Sequence, residues 1–339
     1  MDLIHPHTTA EVADALRALS DKRTPTRIVG GRVHTIAGAD ADAELWTTLL
    51  DRVVAYDAAE MLCVVESGMR LHDVRHLLGE GGQEWPVDEQ NDATVGGAIA
   101  ADVALPRQLR VGPLRDTVVE MTFVTGDGRM IRSGARTVKN VTGFDVHRLL
   151  TGSFGTLGAI TQIALKVRPV PEVARTLVTR EGGVEFASRL LAEIPLPTAI
   201  VAEDGRVLVR LEGWRSEVAE QAAAAGAVAV MADADPGVLR EPPFPDAPTV
   251  VRAAVPPSRL AALVGDIDRY RALVGVGFAW IPCADADEVA TIRARVHDLG
   301  GTAPVVRGDG GHDLSGAPLP EVQRRIKSAF DPADILVSG

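Results

Sequence analysis

The chain has 339 residues, 46% hydrophobic and only 4% aromatic, with Lys+Arg 35 against Asp+Glu 46 for a net charge of −11. That balance excludes a nucleic-acid surface, which needs clustered positive charge, and the length suggests about two domains. The two cysteines, Cys63 and Cys283, are too few for an iron–sulfur cluster on four thiolates, and no apolar run approaches the ~18 residues needed to cross a bilayer.

In chain order, Thr8 and Glu11 form a T-x-x-E capping box that opens a helix over 9–20, with Val12, Leu16 and Leu19 on one face. A strand at Thr26–Val29 runs into the glycine turn Gly30–Gly38. Strands follow at Arg52–Tyr56 and Leu62–Glu66, then a helix at Leu71–Leu78, which makes the first 90 residues an α/β unit. Cys63, in the run MLCVV, reads as a small buried hydrophobe rather than a disulfide partner. The start MDLIHPHTTAEV has neither the basic nor the apolar region of a signal peptide, so the expectation is a cytoplasmic chain with reduced thiols.

A second unit starts near Ala93. Val118–Thr125 and Arg129–Ser133 flank Gly126-Asp127-Gly128, a hairpin signal because these residues accept positive φ. Asp145–Leu150 reads as a short helical turn and Ala159–Arg168 as a strand stopped by Pro169 and Pro171. Beyond 173, strands at 176–179, 198–202, 207–211, 228–231, 249–254, 276–281 and 303–306 alternate with helices at 184–193, 216–225, 258–268 and 285–299. This pattern suggests an α+β domain with a largely antiparallel sheet. The proline-rich stretch 236–257 reads as a long loop, and Leu319–Phe330 as an amphipathic helix with Val322, Ile326 and Phe330 on one face.

Glycines cluster in pairs and triplets from 93 to 168, where backbone N–H groups can approach a phosphate without intervening side chains. The turn after Val29 is neither a dinucleotide G-x-G-x-x-G nor a Walker loop. The histidines 5, 7, 34, 72, 76, 147, 297 and 312 form no metal-site pattern. His72 and His76, at i, i+4, read as a solvated face. Arg107, Arg110 and Arg115 are either a phosphate or partner patch or a solvated turn. Lys139 and Asp145 read as structural contacts, and no catalytic residue is identified.

The order GGRVHTIAG, VVESG, ATVGGAIAAD, VGPLRD, KNVTGFD and GSFGTLGAIT resembles the FAD-binding domain of the vanillyl-alcohol oxidase/p-cresol methylhydroxylase (PCMH) type, and within it the FAD-binding subunits of bacterial glycolate oxidase. The likeness continues through Gly308–Gly311, Pro318-Leu319-Pro320 and Phe330-Asp331-Pro332. It implies an α+β fold in which a PCMH-type FAD-binding domain at 1–171 has two subdomains, about 1–90 and 91–171. An α+β, ferredoxin-like cap at 172–312 and a C-terminal helix and tail at 313–339 would follow.

By that resemblance the cofactor is FAD. Gly30, Gly31, Arg32, Val33, His34 and Thr35 match the pyrophosphate loop. Thr94, Gly96, Gly97, Ala100 and Ala101 match a second clasp, Gly112 and Asp116 the following turn, and Gly155, Gly158, Ala159 and Ile160 the strand entry. No metal is implied. Arg32-Val33-His34 is bulkier than the small residues usual in the family. Arg32 either offsets phosphate charge or is an exposed turn cation. His34 lacks the Gly-Gly-His context of a covalent flavin link. His312 either approaches the flavin or caps its loop. The tail lacks the family's Asn-Pro-Gly-Arg end, which leaves open its return to the flavin site.

The implied activity is that of an electron-transfer subunit in a glycolate-oxidase-like 2-hydroxyacid dehydrogenase. Its expected partners are a catalytic flavin subunit and an iron–sulfur subunit, with any peripheral membrane association made through them. The alternatives are a self-sufficient FAD-dependent 2-hydroxyacid dehydrogenase and a flavin-free scaffold of the same fold.

Overall fold

The computed structural model describes residues 1–33, 40–103, 105–136, 144–203, 205–308 and 320–337. The chain divides into two compact units, the first made of Met1–Val103, Pro113–Val170 and Pro318–Gly339, the second of Ala104–Gly112 and Pro171–Ala317.

The first unit opens with β1 (Asp2–Ile4) and α1 (Thr9–Lys22). Thr8 Oγ1 accepts from the Glu11 N–H at 3.2 Å while the Glu11 carboxylate accepts from the His7 N–H at 2.8 Å. The helix ends at Arg23 in the left-handed region, φ 52°. β2 (Thr26–Val29) and β3 (Ala43–Trp46) pair in parallel, and β1 flanks β3.

β4 (Val53–Asp57), β5 (Leu62–Glu66), α2 (Leu71–Glu80), β6 (Gln83–Glu84) and α3 (Val95–Ala100) follow. The short α4 (Gln108–Val111) lies in the second unit. β7 (Val118–Val124) and β8 (Met130–Gly134) form the hairpin expected around Gly128, which has φ +79°. β9 (Ala159–Lys166) and β10 (Arg168–Pro169) close this part of the chain. Antiparallel pairing orders the second sheet β4-β5-β9-β7-β8. Val12 and Leu16 of α1 share one core with Leu45 of the parallel sheet and with Val124 and Ala159 of the antiparallel one.

The second unit carries β11 (Val173–Thr179), α5 (Val184–Glu193), β12 (Ala199–Glu203), β13 (Arg206–Gly213), α6 (Arg215–Val228) and β14 (Ala232–Asp233). It continues with β15 (Thr249–Ala254), α7 (Leu260–Val264), β16 (Arg271–Leu273), β17 (Phe278–Cys283), α8 (Ala286–Asp298) and β18 (Val305–Arg307). One antiparallel sheet runs β14-β11-β13-β12-β16-β17-β15-β18. The strands alternate: Val207, Val209 and Leu211 pack with α5 and α6 in the main core, while Val201, Leu208 and Leu273 form a smaller cluster with Leu239. Two expectations fail here. The strand at 228–231 is absent because α6 runs through Val228, and the helix at 258–268 shrinks to α7, ending at Gly265.

The chain then returns to the first unit. In α9 (Glu321–Phe330) the Phe330 ring stacks on Phe123, with centroids 5.9 Å apart, while Val322 stays exposed. β19 (Leu336–Val337) adds in parallel to β2, with Leu336 opposite Thr26 and Val337 opposite Arg27. β19 thus joins the strand that delivers the Gly30 turn.

Candidate functional site

Three segments of the first unit meet at an open cleft: the end of β2 with its turn, α3, and the glycine-rich entry to β9. β2 and β3 are hydrogen-bonded neighbours, so the turn is held at its root by the Thr47 N–H donating to Val29 O at 2.9 Å. Thr94 caps α3 by accepting from the Gly97 N–H at 3.1 Å. α3 in turn holds the third segment, because Gly152 and Phe154 donate to Ile99 O and Ala100 O.

Close approach explains the glycines. A methyl group on Gly30 would lie 2.6 Å from Thr94 Oγ1, and one on Gly31 would lie 2.6 Å from Asp92 O. One on Gly158, at φ +154°, would lie 2.6 Å from Val124 O. Two larger residues lining the cleft also sit in the left-handed region, Arg32 at φ 56° and Phe154 at φ 49°. Such positions cost free energy and concentrate at ligand sites.

Among the described residues, no protein acceptor takes the N–H groups of Gly30, Gly31 and Arg32. Free N–H donors beside a glycine turn suit an anionic diphosphate, and the apolar wall of Ile28, Phe154 and Ile160 suits a ring system. The residues present therefore fit a flavin dinucleotide.

Of the residues singled out in the sequence, Gly30, Gly31, Arg32, Val33, Thr94, Gly96, Gly97, Ala100, Ala101, Gly155, Gly158 and Ile160 line this cleft. Ala159 instead packs into the core beside Val124. Gly112 belongs to the second unit, where it ends α4 at φ 81°. Asp116 pairs with Arg148 at 2.9 Å on the surface. His34, Thr35, Lys139 and His312 lie outside the described residues.

Arg107 is buried in a 3.2 Å ion pair with Glu212 and so is no part of a solvated patch, whereas Arg110 stays exposed while donating to Leu196 O at 2.9 Å. His76 faces Glu80 at 3.7 Å in the open, and no metal-binding cluster occurs among the described residues. His147 is buried against Ser133 Oγ at 3.2 Å, and burial, helped by Arg148 and opposed by Asp145, lowers its pKa.

Sequence reasoning missed Arg27 and Glu44. Both line the cleft, and Glu44 is almost wholly buried. Arg32 Nη2 donates to Glu44 Oε2 at 2.6 Å, Trp46 Nε1 donates to the same oxygen at 3.1 Å, and Arg27 Nη1 lies 3.7 Å from Oε1. The Arg32 guanidinium also lies 4.6 Å over the Trp46 ring. Arg32 is thus an internally paired cation. The strand gives no local signal for Glu44, because Ala43, Glu44 and Leu45 are all buried and show no alternation.

A family model described as FAD binding domain matches residues 3–134. The glycolate oxidase subunit GlcE of Escherichia coli is 30% identical over 336 residues, covering 95% of this chain and 94% of GlcE. The chain belongs to the FAD-binding oxidoreductase family of GlcE. Other members of that broader group match only in part. A D-lactate dehydrogenase of Anaerostipes hadrus is 30% identical over 180 residues, with this chain spanning 38% of its length. The glycolate oxidase subunit GlcD of Bacillus subtilis is 28% identical over 201 residues, 42% of its length. A solved alkyldihydroxyacetonephosphate synthase superposes with a TM-score of 0.72 at 16% identity, over 98% of this chain and 75% of the other, which shows the shared PCMH-type α+β fold. The family's cofactor is FAD, and no helix among the described residues is long and apolar enough to cross a membrane.

Proposed function

We propose that this chain is the FAD-holding, electron-transferring subunit of a 2-hydroxyacid dehydrogenase complex of the glycolate oxidase kind. It would work beside a catalytic flavin subunit and an iron–sulfur subunit. The observation that carries this reading is the match to GlcE, 30% identical over 336 residues that take in 95% of this chain and 94% of GlcE. FAD, when bound, supplies the redox centre through its isoalloxazine ring.

The chain's own part is positioning. The N–H groups of Gly30, Gly31 and Arg32 would receive the diphosphate, α3 with its Thr94 cap would run beside the linker, and Ile28, Phe154 and Ile160 would exclude water from the rings. The two cysteines are both buried and unpaired, in keeping with onward transfer through a separate iron–sulfur partner.

The test is purification of the chain alone and together with its two partners. The expected result is bound FAD in both preparations, and reduction of a dye by glycolate or D-lactate only in the complex. Dye reduction by the isolated chain would establish the self-sufficient dehydrogenase instead. A colourless protein that takes up no added FAD would leave the scaffold reading.

A further inference from the structure

The cleft contains an anionic group where an anionic ligand is expected. Glu44 lines it, and its side chain is 3% exposed. Its Oε2 accepts from Arg32 at 2.6 Å and from the Trp46 indole at 3.1 Å, while Arg27 lies 3.7 Å from its other oxygen. Arg32 sits at φ 56°, a conformation costly for a side chain, and it is fastened by both this carboxylate and the Trp46 ring, 4.6 Å away. Among the described residues it bonds through Nη2 alone, so most of its fork of donors is unused.

A carboxylate and a diphosphate in one small cleft repel each other and compete for the same guanidinium. A diphosphate, with more charge and more acceptor oxygens, is the stronger partner for a planar fork.

We propose that Glu44 is a built-in competitor for the cofactor's diphosphate: FAD draws Arg32 off Glu44 and Trp46, and the carboxylate sets how tightly the dinucleotide is held. This rests on the reading that the cleft holds FAD. It gives the chain a tunable, exchangeable cofactor rather than a locked one.

The experiment titrates the flavin-stripped full chain with FAD, ADP and riboflavin, comparing the native sequence with Glu44→Gln and Arg32→Ala. Glutamine keeps the volume and an acceptor oxygen but removes the charge. The expected result is that Glu44→Gln binds FAD and ADP roughly tenfold more tightly, with riboflavin, which has no phosphate, unchanged within about twofold. Arg32→Ala weakens FAD and ADP and leaves riboflavin alone. A Glu44 that serves only structure gives the opposite sign, and weaker or unchanged FAD binding by Glu44→Gln overturns the proposal.

A second measurement needs no charge variant. ADP carries no flavin absorbance, so its binding should change the tryptophan emission of the native chain, and Trp46→Phe should abolish that change. ADP binding with Trp46 emission unaltered overturns the proposal. A native chain that binds FAD but fails these tests loses this inference alone, whereas one that binds no FAD loses the flavoprotein reading as well.

Discussion

At the scale of single residues, the cleft depends on atoms that are missing. Gly31 faces a backbone oxygen, Asp92 O, at 2.6 Å from where a methyl group would stand, and a backbone atom cannot rotate away as a side chain can. Gly31→Ala should therefore displace the turn or the Asp92 segment and weaken FAD binding by about tenfold or more. The cost to overall stability should stay near 1–3 kcal/mol, because the strain is local. Equilibrium dialysis against FAD together with urea denaturation checks both halves. An alanine variant with native affinity would remove the turn from the site. The thiols make the opposite case, of residues inert by placement. Burial pushes both Cys63 and Cys283 up to about 11, with Glu288 and Asp285 adding to the effect at Cys283. Since the thiolate is the reactive form, a disulfide reagent at pH 8 should find almost no thiol in the native chain and two after unfolding. Rapid native labelling of either cysteine would contradict that burial.

At the scale of elements, one carboxylate ties the chain's end to its beginning. Asp331, 1% exposed, accepts from the Ile335 N–H at 3.1 Å, the Leu336 N–H at 2.7 Å and Lys327 Nζ at 2.6 Å. It thereby shapes the bend that lays β19 against β2. Asp331→Ala would leave two buried N–H groups without their acceptor and take the counter-charge from Lys327, which keeps its bonds to Thr156 O and Leu336 O, and should destabilise the chain by about 3 kcal/mol. Asp331→Asn keeps an acceptor and should cost less, and chemical denaturation of both variants gives the comparison. His147, in the turn after Phe144, brings a pH dependence. Its folded pKa lies below the ordinary 6.5, mainly through burial, so below that pH the unfolded chain binds the extra proton first. Its contribution is complete above about 6.5 and is lost as the pH falls towards the folded value. His147→Gln should flatten the decline in stability between pH 7 and pH 5, whereas an unchanged slope would assign the decline to other groups.

Elements with a local signal were legible in the sequence. The Val184–Glu193 helix has a clear amphipathic period, and the Gly126-Asp127-Gly128 hairpin needs only its turn chemistry. β3 was not legible, because its burial depends on β1 and β2 on either side and its sequence, Ala-Glu-Leu-Trp, contains a charge that Arg27, Arg32 and the Trp46 indole make tolerable. β19 has two residues and no pattern of its own, since it exists only as a partner of β2. The same limit applies to the site. Glycine spacing pointed to the turn and to α3, while Glu44 depended on a strand pairing that no local pattern announces.

At the scale of the whole molecule, the two units have separate cores. α1 and the parallel sheet build one around Leu16 and Leu45, and the eight-stranded sheet with α5–α8 builds the other around Val209 and Val251. Every described residue lining the cleft belongs to the first unit. A ligand that binds only a folded state stabilises it by an amount set by its concentration relative to Kd, about 2.7 kcal/mol at a hundredfold excess over Kd. FAD should therefore raise the melting temperature of the first unit and leave that of the second unmoved. Calorimetry of the chain with and without FAD should show one shifted and one stationary transition, and ADP should reproduce the pattern with a smaller shift because it lacks the isoalloxazine contacts. A single transition moving as a whole would mean that the units unfold together. A shift confined to the unit built on Val209 and Val251 would place the cofactor elsewhere, and the cleft formed by Gly30, Thr94 and Gly155 would then need another ligand.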